Sequence, residues 1–142
     1  MPFRPQFHNF CHNRFKIFMD FVHLHVHSHY SLLDGLMKAK ALPKYAKERG
    51  CSAIALTDSG SMYGAIEFYQ SCLANDVKPI IGFEAYIAPR RLTDKDPVLD
   101  ANLYHLVLLA ENVEGYHNLM QLSSIGYMDG FGMANRAWTK RS

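Results

Sequence analysis

Cysteine is scarce and unpatterned. The three residues, Cys11, Cys51 and Cys72, are odd in number, far apart, and form no CxxC pair. That excludes a disulfide framework and a thiolate zinc site, and it suits a reducing compartment, so a cytoplasmic location is expected. No apolar run reaches the roughly 20 residues of a membrane span, and no membrane partner is expected. Neither sign of charge is in excess: Lys and Arg total 15, Asp and Glu total 13, and the net charge is +2. Such a balance gives too weak a field to drive nucleic-acid binding by itself. Internal repeats and low-complexity stretches are absent as well. Residues 1–18 carry Arg4, Arg14 and Lys16 without an acid, yet they lack a continuous apolar h-region and a small-residue cleavage site. They are expected to be a disordered N-terminal extension, with Met19 opening the domain proper.

Histidine is what the chain has in unusual arrangement. Four of its eight histidines, His23, His25, His27 and His29, fall at every second position of "HLHVHSHY". Val22, Leu24 and Val26 alternate with His23, His25 and His27, which is the period of a half-buried strand over residues 20–27. "YSLLDG" reads as a loop ending at Asp34-Gly35. "LPKYAKER" reads as a helix with Pro43 in its first turn and Gly50 closing it. The apolar run "SAIALT" suits a buried parallel strand. After the turn "DSGSMYG" come a helix over "AIEFYQSCLAN" and a strand over "VKPIIGFEAYIAP". A polar loop, "RRLTDKDPVLDAN", leads to the strand "LYHLVLLA", and Asn112 caps a helix through "VEGYHNLMQLSS". This order predicts an α/β fold with a mostly parallel sheet, whose functional groups gather at the C-terminal strand ends. His25, His27 and Asp58 sit at such ends, and Glu84 is late in its strand. His105 fits poorly, because a parallel strand starting at 103 would place it low in the fold.

Residues two apart on a strand point the same way, with Cα atoms about 6.6 Å apart. Two imidazoles so placed can reach one metal ion or two neighbouring ones, and carboxylates can bridge such ions. His25 and His27, joined by Asp34, Glu84 and His105 from other segments, therefore form a candidate site for a divalent metal. The same HxHxH pattern also describes a partly exposed polar strand face, and Glu84, His105 or Asp34-Gly35 taken singly would be a surface acid, a core histidine and a turn. His23 and Asp58 are expected to support the ligands rather than join them. His29 is expected to face solvent from the loop, and no metal role is expected for His8, His12 or His117.

The stretches "FVHLHVHSHYSLLDG", "AIALTDSGSMYGAIEFY", "KPIIGFEAYIAP" and "YHLVLLAENVEGYHNLMQLSSIGYMDGF" resemble, in this order, the N-terminal PHP domain of bacterial DNA polymerase III alpha subunits. The resemblance runs from Met19 to Phe131 and implies a distorted (β/α) barrel of the metal-dependent phosphoesterase type. It implies His25, His27, Asp34, Glu84 and His105 as ligands for up to three ions, zinc or manganese, with no catalytic residue apart from them. In the family's second motif, Thr-Asp-His-Gly, the histidine is replaced here by Ser59, so one metal position is expected to be weakened. Residues 132–142, "GMANRAWTKRS", depart from the family pattern and are expected to be a divergent tail from a truncated or frameshifted reading frame.

The resemblance further implies a parent DNA-directed DNA polymerase using Mg, with DNA, the remaining polymerase domains and an exonuclease subunit as partners. Some family members are proofreading 3'–5' exonucleases; in others the domain is a non-catalytic scaffold, and a third class comprises stand-alone phosphatases. The polymerase aspartates and the later PHP ligands have no counterpart in this sequence, so the chain alone is expected to be inactive. A barrel with half its strands is expected to fold poorly without a partner.

Overall fold

Each helix follows from its apolar spacing and its ends. The computed structural model describes residues 21–91, 94, 96, 98, 99 and 103–129. A short 3-10 helix, Ala39–Ala41, runs into α1, Leu42–Glu48, where Pro43 occupies the first turn at no hydrogen-bond cost. Gly50, at φ +77°, turns the chain away from α1 in a conformation that other residues resist. Helix α2, Ala65–Ala74, buries Ala65, Phe68 and Cys72 along one face. Helix α3, Val113–Met128, begins where the Asn112 side chain accepts a 2.8 Å bond from the Gly115 amide. It runs four residues beyond the expected end at Ser124. The expected extension 1–18 and tail 132–142, with Cys11, His8 and His12, lie outside the described residues, as do the limits of the 19–131 domain.

Three strands form one open sheet in the order β1-β2-β3: β1, Ala53–Leu56; β2, Lys78–Ile87; and β3, Tyr104–Leu109. Every residue of β1 is buried, as the unbroken apolar run requires. Strands β1 and β2 are parallel, pairing Ala53 with Lys78 through Leu56 with Ile81. The expectation of a mostly parallel sheet fails at β3, which runs antiparallel to β2, from Gly82–Leu109 to Ile87–Tyr104. The reversal puts the start of β3 beside the C-terminal end of β2, so His105 pairs with Tyr86 at the functional end of the sheet. Its position near the start of its strand is therefore no obstacle.

The expected first strand is also altered. Residues 21–28 run alongside β1 but form no regular ladder; the only bridge joins His23 to Ile54 among the described residues. The Ala55 amide donates to His23 O and the Thr57 amide to Val26 O, both at 2.8 Å. Three residues on one side thus span two on the other, as in a β-bulge. The slip leaves the Val26 amide without a backbone acceptor, and the Thr57 hydroxyl supplies one at 2.8 Å. Leu24, expected on the apolar face, is consequently exposed, whereas Val26 packs on the core.

Two apolar clusters line the same face of the sheet, because Leu56 pairs with Ile81, and Ile81, Phe83 and Ala85 share one parity along β2. One joins α1 and α2 to β1 through Leu42, Ala46, Ile54, Leu56, Phe68 and Cys72. The other packs Leu119 of α3 against Phe83 and Ala85 of β2. Alternation along β2 then turns Glu84 to the face opposite Phe83 and Ala85.

Candidate metal centre

Glu84 is the hub. Its side chain is only 7% exposed, yet three imidazoles reach it. His25 Nε2 lies 3.4 Å from Oε1, and His27 Nε2 lies 3.1 Å from Oε2. His105 Nδ1 approaches Oε1 at 3.1 Å from the neighbouring strand, diagonal to Glu84 across the antiparallel pair. The His105 ring is braced edge-on by Tyr86, with centroids 4.8 Å apart. The Ser59 hydroxyl donates to Oε2 at 3.3 Å. Ser59 is delivered there because residues 58–60 continue the parallel register past β1: the Gly60 amide donates to Glu84 O and the Glu84 amide to Asp58 O.

His25 and His27 meet each other as well as the carboxylate. Their Nε2 atoms are 3.2 Å apart, with ring planes inclined at 74°. Two ring nitrogens facing each other cannot both present protons, whereas both can present lone pairs to one cation. Donor atoms around a tetrahedral ion with bonds of about 2.0–2.1 Å stand about 3.3 Å apart. The 3.2 Å between the two nitrogens matches that spacing, and each nitrogen has a different oxygen of Glu84 beside it, Oε1 at 3.4 Å for His25 and Oε2 at 3.1 Å for His27. Two neutral imidazoles and one carboxylate, with ligand atoms all within 4.8 Å of one another, are a donor set suited to a divalent metal. The His25 ring is 51% exposed, which leaves the centre open on one side.

The other expected residues are placed differently. Asp34 stands in an exposed loop, outside the group formed by His25, His27 and Glu84. The His23 ring is exposed and packs edge-on against Phe21 rather than in the cluster. His29, expected to face solvent, is half-buried: it stacks on Tyr30, its Nδ1 accepts from the Ala39 amide at 3.4 Å, and its own amide donates to Met37 O. It staples the loop rather than hanging from it. His117 is exposed on α3.

Asp58 is buried to 1% and binds the loop that follows His27. Its Oδ1 accepts from the Ser28 amide at 2.6 Å and the Ser31 hydroxyl at 2.7 Å, and its Oδ2 accepts from the Ser28 hydroxyl at 2.8 Å. Ser28 and Ser31 were not anticipated as contributors. The signal for them was two hydroxyls in "HSHYS", directly after the paired histidines and facing an acid at the next strand end. Nearby, the Tyr30 hydroxyl donates to Glu67 Oε2 at 3.0 Å, and that bond to a carboxylate holds the phenol pKa above its ordinary value.

The PHP domain profile matches residues 23–141. The DNA polymerase III subunit alpha of Treponema pallidum is 50% identical over 113 residues, covering 79% of this chain and 10% of that protein. The corresponding subunit of Thermus aquaticus is 45% identical over 117 residues, covering 80% of this chain and 10% of its own length. This chain thus spans about a tenth of the length of the relatives it matches. Among solved structures, an amidohydrolase from Chromobacterium violaceum superposes with a TM-score of 0.55 at 23% identity, over 75% of this chain and 33% of that one. A Bifidobacterium adolescentis protein assigned as a metal-dependent phosphoesterase gives 0.54 at 16% identity, with the same coverage. These likenesses establish an α/β fold of the PHP type, of which the described residues build an open part. With most of its length matched to the profile and half of the matched residues shared with polymerase alpha subunits, the chain belongs to the PHP domain family.

Proposed function

We propose that this chain is the N-terminal PHP part of a replicative DNA polymerase alpha subunit, and that His25, His27 and Glu84 hold a divalent ion beside a phosphodiester. The observation that carries the proposal is the convergence of two imidazole nitrogens on a buried carboxylate, 3.1–3.4 Å apart. When bound, a divalent cation supplies Lewis acidity toward a phosphoryl oxygen and acidifies water. Glu84 provides the charge that offsets the cation, and its burial keeps that charge close and poorly screened. His105 braces Glu84 Oε1, and His105 and Asp34 are the further ligands that the family resemblance implies. The ion is zinc or manganese, because imidazole with carboxylate suits both. The open face at His25 admits a DNA 3' end, the exonuclease substrate of the family.

Template-directed synthesis belongs to the parent protein, with Mg, DNA, the other polymerase domains and an exonuclease subunit as its partners in the cytoplasm. Among the described residues, no helix is long and apolar enough to cross a membrane. This chain by itself extends no primer and cleaves DNA weakly or not at all. The test is metal analysis and nuclease assay of purified protein. About one equivalent of zinc or manganese, lost in a His25→Ala, His27→Ala variant, is expected. Metal-free wild-type protein after incubation with either ion would overturn the proposal.

One observation favours a second reading, that of a non-catalytic binding module. Ser59, not an imidazole, stands beside Glu84 Oε2, which thins the ligand set. Capture of polymerase or exonuclease partners that survives replacement of His25 and His27 would support it.

A further inference from the structure

We propose that Asp58 is a positioning residue for the metal centre: it ligates nothing itself and fixes the backbone on either side of His27, so that the paired imidazoles meet over Glu84. The inference rests on the metal-centre reading above and deepens it.

His27 is gripped on both flanks by two adjacent, fully buried residues. On one side Thr57 Oγ1 accepts from the Val26 amide at 2.8 Å. On the other, Asp58 Oδ1 accepts from the Ser28 amide at 2.6 Å. The Ser28 amide shares a peptide plane with the His27 carbonyl, so holding it fixes the rotation that aims the His27 side chain. The remaining Asp58 contacts reinforce the grip, because both serine hydroxyls come from the same turn. Ser28 is 0% and Ser31 2% exposed, so water does not compete for these bonds. A buried carboxylate needs charge-assisted donors to be tolerated at all. All three supplied here come from residues 28–31, none from a cation. The chain of contacts then reaches the hub: Ser31 Oγ also accepts from the Ser59 amide at 3.0 Å, and Ser59 Oγ donates to Glu84. Histidine segment and carboxylate are thereby referenced to one buried group. Without it, the irregular pairing of residues 23–26 with β1 would leave the turn after His27 free to rotate.

The test measures zinc affinity of the full chain by competition with a chelating indicator. It also follows the ring-nitrogen resonances of His25 and His27 in metal-free protein. Asp58→Ala and the double variant Ser28→Ala, Ser31→Ala are expected to weaken zinc about 10–100-fold, the range for groups that orient ligands. Both are expected to shift the His27 ring signals before any metal is added. Asp58→Asn keeps an oxygen for the Ser28 amide and Ser31 hydroxyl and can donate to Ser28 Oγ, so it is expected to stay within about threefold. Ser61→Ala, at a buried serine three residues after Asp58, is expected to do likewise, which separates positioning from general loss of core order. The double-serine variant leaves Asp58 and every ligand in place, so it decides the matter even if Asp58→Ala does not fold. Wild-type affinity in that variant, or loss in Asp58→Asn as complete as in His27→Ala, would overturn the inference; the latter would make Asp58 a ligand. If the wild-type chain takes up no zinc, the metal-centre reading falls. The positioning claim is then judged on the ring signals alone and fails if the double-serine variant leaves them unmoved.

Discussion

Replacing Glu84 by Gln separates the two things this carboxylate does. In metal-free protein it accepts contacts from three imidazoles and Ser59, at 3.1–3.4 Å, from a side chain only 7% exposed. Gln keeps the volume and one oxygen, and it removes a buried charge whose desolvation offsets much of its attraction to those partners. Metal-free stability is therefore expected to change by no more than about 1 kcal/mol. In metal-loaded protein the balance differs. Glu84 is the only carboxylate of the three-ligand group, and two of its three donor separations pass through it. Without it His25 and His27 remain as a bare pair. Losing a group that merely orients a ligand costs about 10–100-fold in affinity, so losing the ligand itself is expected to cost at least about 100-fold. That corresponds to about 2.7 kcal/mol. The assay is zinc or manganese competition against a chromophoric chelator, with far-ultraviolet circular dichroism to verify the fold. A Glu84→Gln protein that is folded and binds metal within about fivefold of wild type would refute the assignment of Glu84 as ligand.

Four further outcomes are expected. At Gly82 a Cβ would stand 2.3 Å from Leu108 O, so Gly82→Ala should force β2 and β3 apart, cost about 1–3 kcal/mol or more, and release His105 from Glu84; unchanged denaturant midpoint would contradict the pairing. Ser59→His places an imidazole beside Glu84 Oε2 and should raise the metal bound per chain, measured by elemental analysis. Tyr30, hydrogen-bonded to Glu67, titrates above the ordinary phenol value of about 10. Because the folded pKa is raised, its contribution to stability is complete below about pH 10 and is lost as pH rises through the folded value. Glu67→Gln should move the last phenolate absorbance step to lower pH, and an unmoved step would sink the assignment. Burial pushes the Cys72 thiol to about 12, leaving roughly one thiolate in ten thousand at pH 8. Iodoacetamide should spare this residue, mapped by peptide mass, until the chain unfolds; labelling of native protein within minutes would contradict the packing.

Much of this was legible in the sequence because local signals agreed with one another. Pro43, Gly50 and Asn112 mark helix ends by backbone chemistry, and the unbroken run through β1 could be satisfied only by burial. The pairing of His25 with His27 followed from their spacing. Strand direction at β3 was not legible: the connection between Ile87 and Tyr104 is 16 residues, long enough for a crossover and equally usable as a hairpin loop. Nor was the slip between residues 23–26 and β1. It depends on the Thr57 hydroxyl standing in for a backbone acceptor, and a threonine at a strand end carries no mark of that use. The same slip is why alternation alone misplaced Leu24. His29 was misjudged because its partners, Ala39 and Met37, come from the far side of a loop whose closure no periodicity reports. The serine clamp on Asp58 was missed for a related reason: hydroxyls are common in loops, and only the buried carboxylate opposite them gives them significance.

Synthesis order gives the hub at Glu84 a consequence of its own. His27 emerges from the ribosome 57 positions (84 − 27) before the carboxylate it is to meet. At about 5–20 residues per second, the two imidazoles wait several seconds for Glu84. An imidazole pair alone follows the Irving–Williams series and prefers copper or nickel to zinc or manganese. A chain released before β2 is complete therefore keeps the pair without its carboxylate, and such fragments should take up copper in preference to zinc.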